Sequence, residues 1–358
     1  MVSTQPVLSL GYFKLKKYII PDGIKRLFYL SWEDAFWDIL FRKKARKGSY
    51  ILLPDFFCKD VEKNIILRGY KISHYHIKRN LNVDLKTFTL KVKSVNPKVV
   101  VIFHTVGIKS NLLINPKWIT VLPEKTILIE DAVHMTIDPA KIKLFKINHF
   151  IIDSLRKVVP VQGSSLYGSI EDLDFSAPPF YRSAYYSVKV SLLWVIMVLN
   201  WSLANVLSDR TSKKLGFFAE RLMLTGYDLI GDSKIPASGG LIEKFWSSRV
   251  DVGKIKKIKT VQFENYRKSL GGVLPINIPI DKKDRGNLRG FPIILPKDKA
   301  NDVLRFLRSK GLLVRFELDD SGWAKNQKMI FLPLGIHMTQ NQQSEVCILV
   351  RMAILGNF

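Results

Sequence analysis

The stretches Thr126–Met135, TILIEDAVHM, and His149–Gly168, HFIIDSLRKVVPVQGSSLYG, decide the fold. Thr126–Glu130 and His149–Ile152 are short apolar runs, the length and character of buried strands. Chemically active residue types follow each run at once: Asp131 and His134 after the first, Ser154 and Lys157 after the second. In open α/β sheets, ligands lie outside the carboxyl ends of the strands. A carboxylate and a lysine delivered to that edge by nearby strands mark a site. Taken singly, each has a bland reading. A lysine in a basic chain is ordinarily solvated, Asp131 could cap a helix, and His134 could simply be packed or exposed. Their conjunction in one strand-edge pattern outweighs those readings.

The motifs carry a resemblance. Ile129-Glu130-Asp131-Ala132-Val133-His134 resembles the I-E-D-A-x-H/Q of the DegT/DnrJ/EryC1/StrS family of sugar aminotransferases, which are pyridoxal-phosphate enzymes of fold type I. Ser154-Leu155-Arg156-Lys157 resembles that family's cofactor segment, and Pro160–Gly163 the turn after it. Such a cofactor needs a lysine for its aldehyde and an acid to keep its pyridine nitrogen protonated. The resemblance therefore implies Lys157 as the catalytic lysine, Asp131 as the ring-nitrogen partner, and His134 beside the ring or its 3-hydroxyl. The fold it implies is α/β, a mixed and mostly parallel sheet flanked by helices, with a small C-terminal α/β domain.

The chain has 358 residues, which suits two domains, here 1–250 and 251–358. Its two cysteines, Cys58 and Cys347, suggest neither a disulfide framework nor a cysteine metal site, and no metal is expected. A reducing compartment is the default, and the opening MVSTQPVLSLGYFKLKK lacks the order of a secretory signal, so a cytoplasmic location is expected. The formal net charge of +25 attracts nucleic acid, anionic membranes or phosphorylated substrates alike. No nucleic-acid-binding signature accompanies it, so specific nucleic-acid binding is not expected.

Along the chain, Tyr12–Leu30 has no clear period. Ser31 then caps a helix with an apolar stripe of Phe36, Ile39 and Leu40 that ends in the basic run Arg42–Gly48. In the resembled family this helix start holds the cofactor phosphate through free N–H groups, which implies roles for Ser31 and, from the lysine segment, Ser154. Trp32 and Glu33 depart from the family's glycine and threonine, and a carboxylate repels phosphate unless it turns away. Tyr50–Pro54 reads as a buried strand. Beyond it the family carries an aromatic that stacks on the ring; Phe57 takes that role, strict register points to Cys58, and packing in the core is an equal alternative. Lys98–His104 is the clearest strand, and His104 at its end is a pocket-lining candidate or a hydrogen-bonded structural histidine.

After Gly168 the signals weaken. Val190–Leu207, VSLLWVIMVLNWSLANVL, is apolar enough for a buried or dimer-facing helix first, an interfacial helix second and a span third. Asp232–Pro236 sits where the family has a segment reaching the neighbouring subunit. Ile242–Leu270 is helical in pattern. Phe291–Leu295, Leu312–Phe316 and Met329–Leu334 read as strands, and Asp298–Lys310 as an amphipathic helix.

The resemblance implies an aminotransferase acting on a nucleotide-linked keto sugar, with glutamate as amino donor, in a homodimer. Lys157 in its expected place disfavours a dehydratase relative. The alternative from another class is a silent or retuned member that keeps the fold for binding or assembly, with peripheral contact to an anionic membrane.

Overall fold

Apolar strands covered on both faces organise the chain. The computed structural model describes residues 2–114, 116–204, 206–207, 209–230, 235–276 and 278–356. In chain order the elements are β1 (Val2–Ser3), β2 (Ile24–Tyr29), α1 (Trp32–Arg42), β3 (Tyr50–Pro54), α2 (Lys59–Leu67), β4 (Lys71–Tyr75), α3 (Leu85–Val95), β5 (Val99–Phe103), β6 (Ile127–Ala132), β7 (His149–Asp153) and β8 (Ser164–Ser169). There follow α4 (Ala184–Ala204), α5 (Asp209–Leu229), α6 (Leu241–Ser247), α7 (Val252–Leu270), β9 (Phe291–Pro296), α8 (Lys297–Ser309), β10 (Leu312–Leu313), β11 (Gln327–Leu332) and α9 (Gln340–Leu355).

Seven strands form one sheet in the order β2-β8-β7-β6-β5-β3-β4. β4, β3, β5, β6 and β7 are parallel, β8 is antiparallel to β7, and β2 is antiparallel to β8. This is the mixed, mostly parallel sheet that the resemblance implies. Alternation along a strand sends neighbouring side chains to opposite faces. Ile127 and Ile129 of β6 therefore pack with Trp32 and Phe36 of α1, while Leu128 packs with Phe88, Trp118 and Tyr266 on the other face. The same parity sends Asp131 toward the α1 face and Glu130 away from it.

Two elements escape the periodicity. β2 lies in the stretch without a clear period because cations interrupt it. Those cations are satisfied locally: Arg26 Nη2 donates to Ser165 Oγ and Ser247 Oγ at 2.9 and 2.7 Å, and Lys25 Nζ to the carbonyls of Leu173 and Phe175. Its partner β8 is entered through Gly163 at φ +130°, where a Cβ would lie 2.3 Å from Phe28 Cζ. The helical pattern of Ile242–Leu270 is in fact two helices, because Asp251 caps α7 by accepting from the Lys254 amide at 3.1 Å.

β9 and β11 form an antiparallel pair, and β1 pairs with β10, so the start of the chain lies on its C-terminal part. The strand expected over 312–316 is only Leu312–Leu313, with an isolated bridge at Phe316. One core cluster runs from Val100 and Leu128 through Tyr266 to Met329 and Val346. α4 buries Trp194, Met197 and Trp201 against Ala219 and Met223 of α5. Its other face leaves Tyr185, Val188, Leu192, Val195, Leu199 and Leu203 exposed. By length and composition alone this helix is sufficient to cross a membrane, and it is the single such helix among the described residues.

Candidate active site

A cavity of about 340 Å³ opens at the carboxyl ends of the parallel strands, and six of the seven sequence candidates line it: Ser31, Phe57, Asp131, His134, Ser154 and Lys157. Strand order explains the convergence. β6 and β7 are adjacent, with Asp131 opposite Ile152 in register. Asp131 thus closes one strand while Ser154 and Lys157 follow the next.

Lys157 ends a short helical turn whose backbone bonds back to the Ser154 carbonyl at 3.2 Å. Its Nζ lies 3.2 Å from Nε2 of His134. That imidazole is fully buried, and burial first, then the nearby Lys157 charge, lowers its pKa to about 3, so it is neutral. The same Nε2 lies 3.0 Å from Glu317 Oε1 and 3.2 Å from Arg289 Nη1. Arg289 Nη1 also sits 2.8 Å from Glu317 Oε2. Burial alone would raise the Glu317 carboxyl, but the Arg289 guanidinium and His134 hold it well below the usual carboxylate range.

Asp131 is buried, and its Oδ1 accepts from the Val133 amide at 3.1 Å. Burial pushes its pKa up to about 7, against the opposing pull of that hydrogen bond and of Lys157. A carboxyl so raised has few partners for its charge and gains from a cation placed in the cavity. Phe57 is packed against Trp32 at 6.0 Å and Phe103 at 6.3 Å between ring centroids, and Cys58 lines the cavity beside it. Both register alternatives therefore reach the site.

The helix start differs from a bare phosphate cradle. Ser31 caps α1, its Oγ accepting from the Asp34 amide at 3.1 Å and donating to Asp34 Oδ2 at 2.5 Å. Asp34 Oδ1 accepts from the Ala237 amide at 2.9 Å. Glu33 turns its carboxylate to Asn64 Nδ2 at 3.0 Å and Trp37 Nε1 at 3.4 Å. Cations on the cavity wall come from Arg156, Lys157 and Arg315 instead.

His104 is corrected by the structure. It is absent from the cavity wall and takes the structural course: Nε2 donates to Glu130 Oε2 at 2.9 Å, and Nδ1 accepts from the Ser110 amide at 3.2 Å. Parity on β6 is the reason, since Glu130 points away from the face of Asp131. Two residues that sequence reasoning missed are Arg289 and Glu317. Each lies in a segment without a motif, more than 130 residues from Lys157 or His134 in sequence, so no local pattern announces them. Asp232–Lys234, within the candidate partner-reaching segment, lie outside the described residues.

No family model matches the sequence, and no curated protein sequence matches it. Solved structures do match. The chain is similar to a putative sugar aminotransferase, Spr1654 from Streptococcus pneumoniae in its apo form, at 12% identity and TM-score 0.59 over 98% of this chain and 92% of that one. It is similar to DesI, solved in the presence of its TDP-sugar product, at 15% identity and TM-score 0.56 over 92% and 81%. A cysteine desulfurase from Thermococcus onnurineus NA1 matches at 14% identity and TM-score 0.53 over 94% and 80%. At these identities the likeness is one of fold: the chain has the fold type I architecture of pyridoxal-phosphate enzymes. The residues suit that cofactor at its ring end, where a lysine amine and a buried carboxyl with a raised pKa line one cavity.

Proposed function

We propose that this protein is a pyridoxal-phosphate-dependent aminotransferase. The observation that carries the reading is the pair Lys157 and Asp131, brought by adjacent strands to one cavity. When bound, the cofactor supplies an electron sink for the carbon that loses a proton. Lys157 would supply the amine that holds the cofactor's aldehyde carbon, and its Nζ is the group placed to move a proton at the substrate carbon. Asp131 would keep the ring nitrogen protonated, and that charge pairing would offset the rise in pKa that burial causes. His134, neutral and fixed, flanks the ring or its 3-hydroxyl. By their place Ser154 and Ser31 would face the phosphate, and Ser31 would first have to release its hydroxyl from Asp34. Arg68 is the cation that acts on the carboxyls Glu33 and Asp34 there, and Arg156 lines the same cavity.

The substrate we infer is a keto sugar linked to a nucleotide, with glutamate as donor. The neighbours whose names include sugar aminotransferase or a TDP-sugar product support that class. A diphosphate would meet Asp60, Asp228, Asp319 and Asp320 on the cavity wall, so Arg156 and Arg315 would have to receive it. We also infer a cytoplasmic homodimer. The exposed stripe of α4 supports it, because spacings of three and four residues suit a facing helix.

The test is the absorption spectrum of the purified protein titrated with pyridoxal phosphate, beside Lys157→Ala. A visible band in the wild type, fixed by borohydride on the peptide carrying Lys157 and missing from the variant, is the expected result. A wild type without that band overturns the enzyme reading in favour of a silent member that keeps the fold for binding or assembly, whose specific support is the acid pair Glu33 and Asp34 at the α1 terminus.

A further inference from the structure

Three groups meet at one atom of the site. Nε2 of His134 has Lys157 Nζ at 3.2 Å, Glu317 Oε1 at 3.0 Å and Arg289 Nη1 at 3.2 Å around it. His134 and Lys157 come from the loops after β6 and β7. Arg289 comes from the segment entering β9, and Glu317 from the segment after β10. All of His134, Arg289 and Glu317 are buried.

The proton on His134 follows from the partners. A neutral imidazole carries one N–H. With the N–H on Nε2 it donates to the Glu317 carboxylate at 3.0 Å, and the Lys157 and Arg289 cations at 3.2 Å are then contacts of that nitrogen without a hydrogen bond to it. Nδ1 is then an unprotonated acceptor, buried and without a hydrogen-bond partner among the described residues. The opposite tautomer would leave a buried donor unmet, which costs more than an unmet acceptor beside an aromatic wall. Arg289 holds Glu317 from its other oxygen at 2.8 Å, which keeps the carboxylate ionised inside the protein.

We propose that Glu317, clamped by Arg289, is a positioning residue for Lys157: it locks His134 with its proton on Nε2 and sets a fixed negative charge beside the lysine amine. This deepens the aminotransferase reading and rests on it for the use of Lys157. The charged and titratable groups that share the cavity with that amine are Cys58 and Asp60 at the start of α2, Asp131 from β6, His134, Arg156 in the lysine's own turn, Arg315, Glu317, Asp319 and Asp320 after β10, Glu33 from α1 and Asp228 from α5. Arg289 Nη1 meets the same His134 nitrogen as Lys157 Nζ, each at 3.2 Å, so its cation also acts on the amine. Of the two buried carboxyls, Asp131 is the one burial drives toward its neutral form, whereas Glu317 stays ionised. Glu317 is therefore the standing anion that favours every cationic state of the Lys157 nitrogen. It belongs to the C-terminal part of the chain, so the lysine acquires its working environment only when that part is docked on the sheet.

The experiment reads the lysine without any cofactor, so its failure is distinct from failure of the cofactor reading. Trace acetylation with acetic anhydride across pH, followed by mass spectrometry of the Lys157 peptide, gives the pH midpoint of that amine in the full-length chain. An opposite charge at this range shifts a midpoint by about one unit or more. In Glu317→Gln the Lys157 midpoint is expected to fall by about one unit, making the amine about tenfold more reactive at pH values below both midpoints. A surface lysine such as Lys98 is expected not to move. Glu317→Gln leaves Arg289 buried without its carboxylate, so Arg289→Met/Glu317→Gln is measured as well. The fall is expected to be smaller there, because the Arg289 cation, which opposes the charge on Lys157 at the same imidazole nitrogen, is removed together with the anion. An unchanged midpoint in folded Glu317→Gln, or a double variant whose midpoint lies below that of Glu317→Gln, overturns the proposal.

Discussion

Ser31 donates its hydroxyl proton to Asp34, with Oγ and Oδ2 2.5 Å apart, so the chain supplies its own anion at the N-terminus of α1. Helix N-termini favour negative charge through free N–H groups and the dipole, and here a side chain meets part of that demand. Burial nevertheless pushes the Asp34 pKa up to about 7, despite hydrogen bonds from Ser31 and the Ala237 amide. A carboxyl raised on folding contributes stability that is complete below its unfolded value and is lost as pH rises through the folded one. Asp34→Asn removes that dependence. Urea unfolding at pH 4.5 and pH 8 is expected to show the variant gaining on the wild type by roughly 1 kcal/mol or more between the two. Parallel pH slopes would refute the buried, protonatable state of Asp34.

Asp131 has the same sign for a different use. Its pKa of about 7 means that the empty site is held more stably with Asp131 protonated. Asp131→Asn is expected to leave the apo protein as stable as the wild type at pH 8, or more so, because an isolated charge is removed from the interior. The same variant is expected to bind pyridoxal phosphate at least about tenfold more weakly, because it gives up a charge-assisted hydrogen bond to the ring nitrogen. Thermal melting and a spectral titration on one preparation separate the two effects. Unchanged affinity would remove Asp131 from the cofactor site.

Much of this site is legible in the sequence because its residues sit at strand ends. β5, β6 and β7 each carry an apolar run, Val99–Phe103, Ile127–Ile129 and Phe150–Ile152, and chemically active residues follow each run toward the sheet edge. What adjacency in sequence does not encode is the facing of side chains and the approach of distant segments. His104 ends a strand like Asp131 yet is bound to Glu130 on the opposite face. Arg289 and Glu317 reach His134 only because the C-terminal part packs onto the sheet. β2 was hidden for a third reason: its cations are satisfied by β8, α6 and carbonyls, so the strand needs no apolar alternation at an edge.

Glu130 ties three strands together beneath the site. Its two oxygens each lie 2.9 Å from a histidine Nε2, His104 at the end of β5 and His149 at the start of β7. Burial would raise its pKa, but His104 and His149 outweigh it and hold the carboxyl down to about 2. The sign is opposite to that of Asp34: the contribution is present above the unfolded value and is lost as pH falls through about 2. Leaving a buried donor without its acceptor costs about 1–3 kcal/mol, and Glu130→Ala, which strips the buried His104 Nε2–H of its acceptor, is expected to lose at least that much in a denaturant titration at pH 7. His104→Asn should destabilise the chain while leaving the visible cofactor band in the molecules that remain folded. Loss of that band with unchanged stability would return His104 to the cavity wall.

Lys259 clamps the two loops that carry His134 and Arg289. Its side chain is buried on α7, and Nζ donates to Thr136 Oγ1 at 3.0 Å and to the Leu288 carbonyl at 2.7 Å. Burial first, then the charges of Lys256 and Arg289, lower its pKa to about 7. A base lowered on folding contributes most above its unfolded value, and that contribution is lost as pH falls through the folded one. The wild type is therefore expected to gain on Lys259→Met by roughly 1 kcal/mol or more between pH 6.5 and pH 9.5. Below pH 6.5 the ammonium must be buried charged, and the methionine variant is expected to be at least as stable, as apolar replacements of buried charges often are. Urea unfolding of both proteins at the two pH values decides the matter. A wild type that does not gain on the variant between them would mean that Lys259 stays charged in its pocket, with Thr136 and Leu288 alone sufficient to hold it.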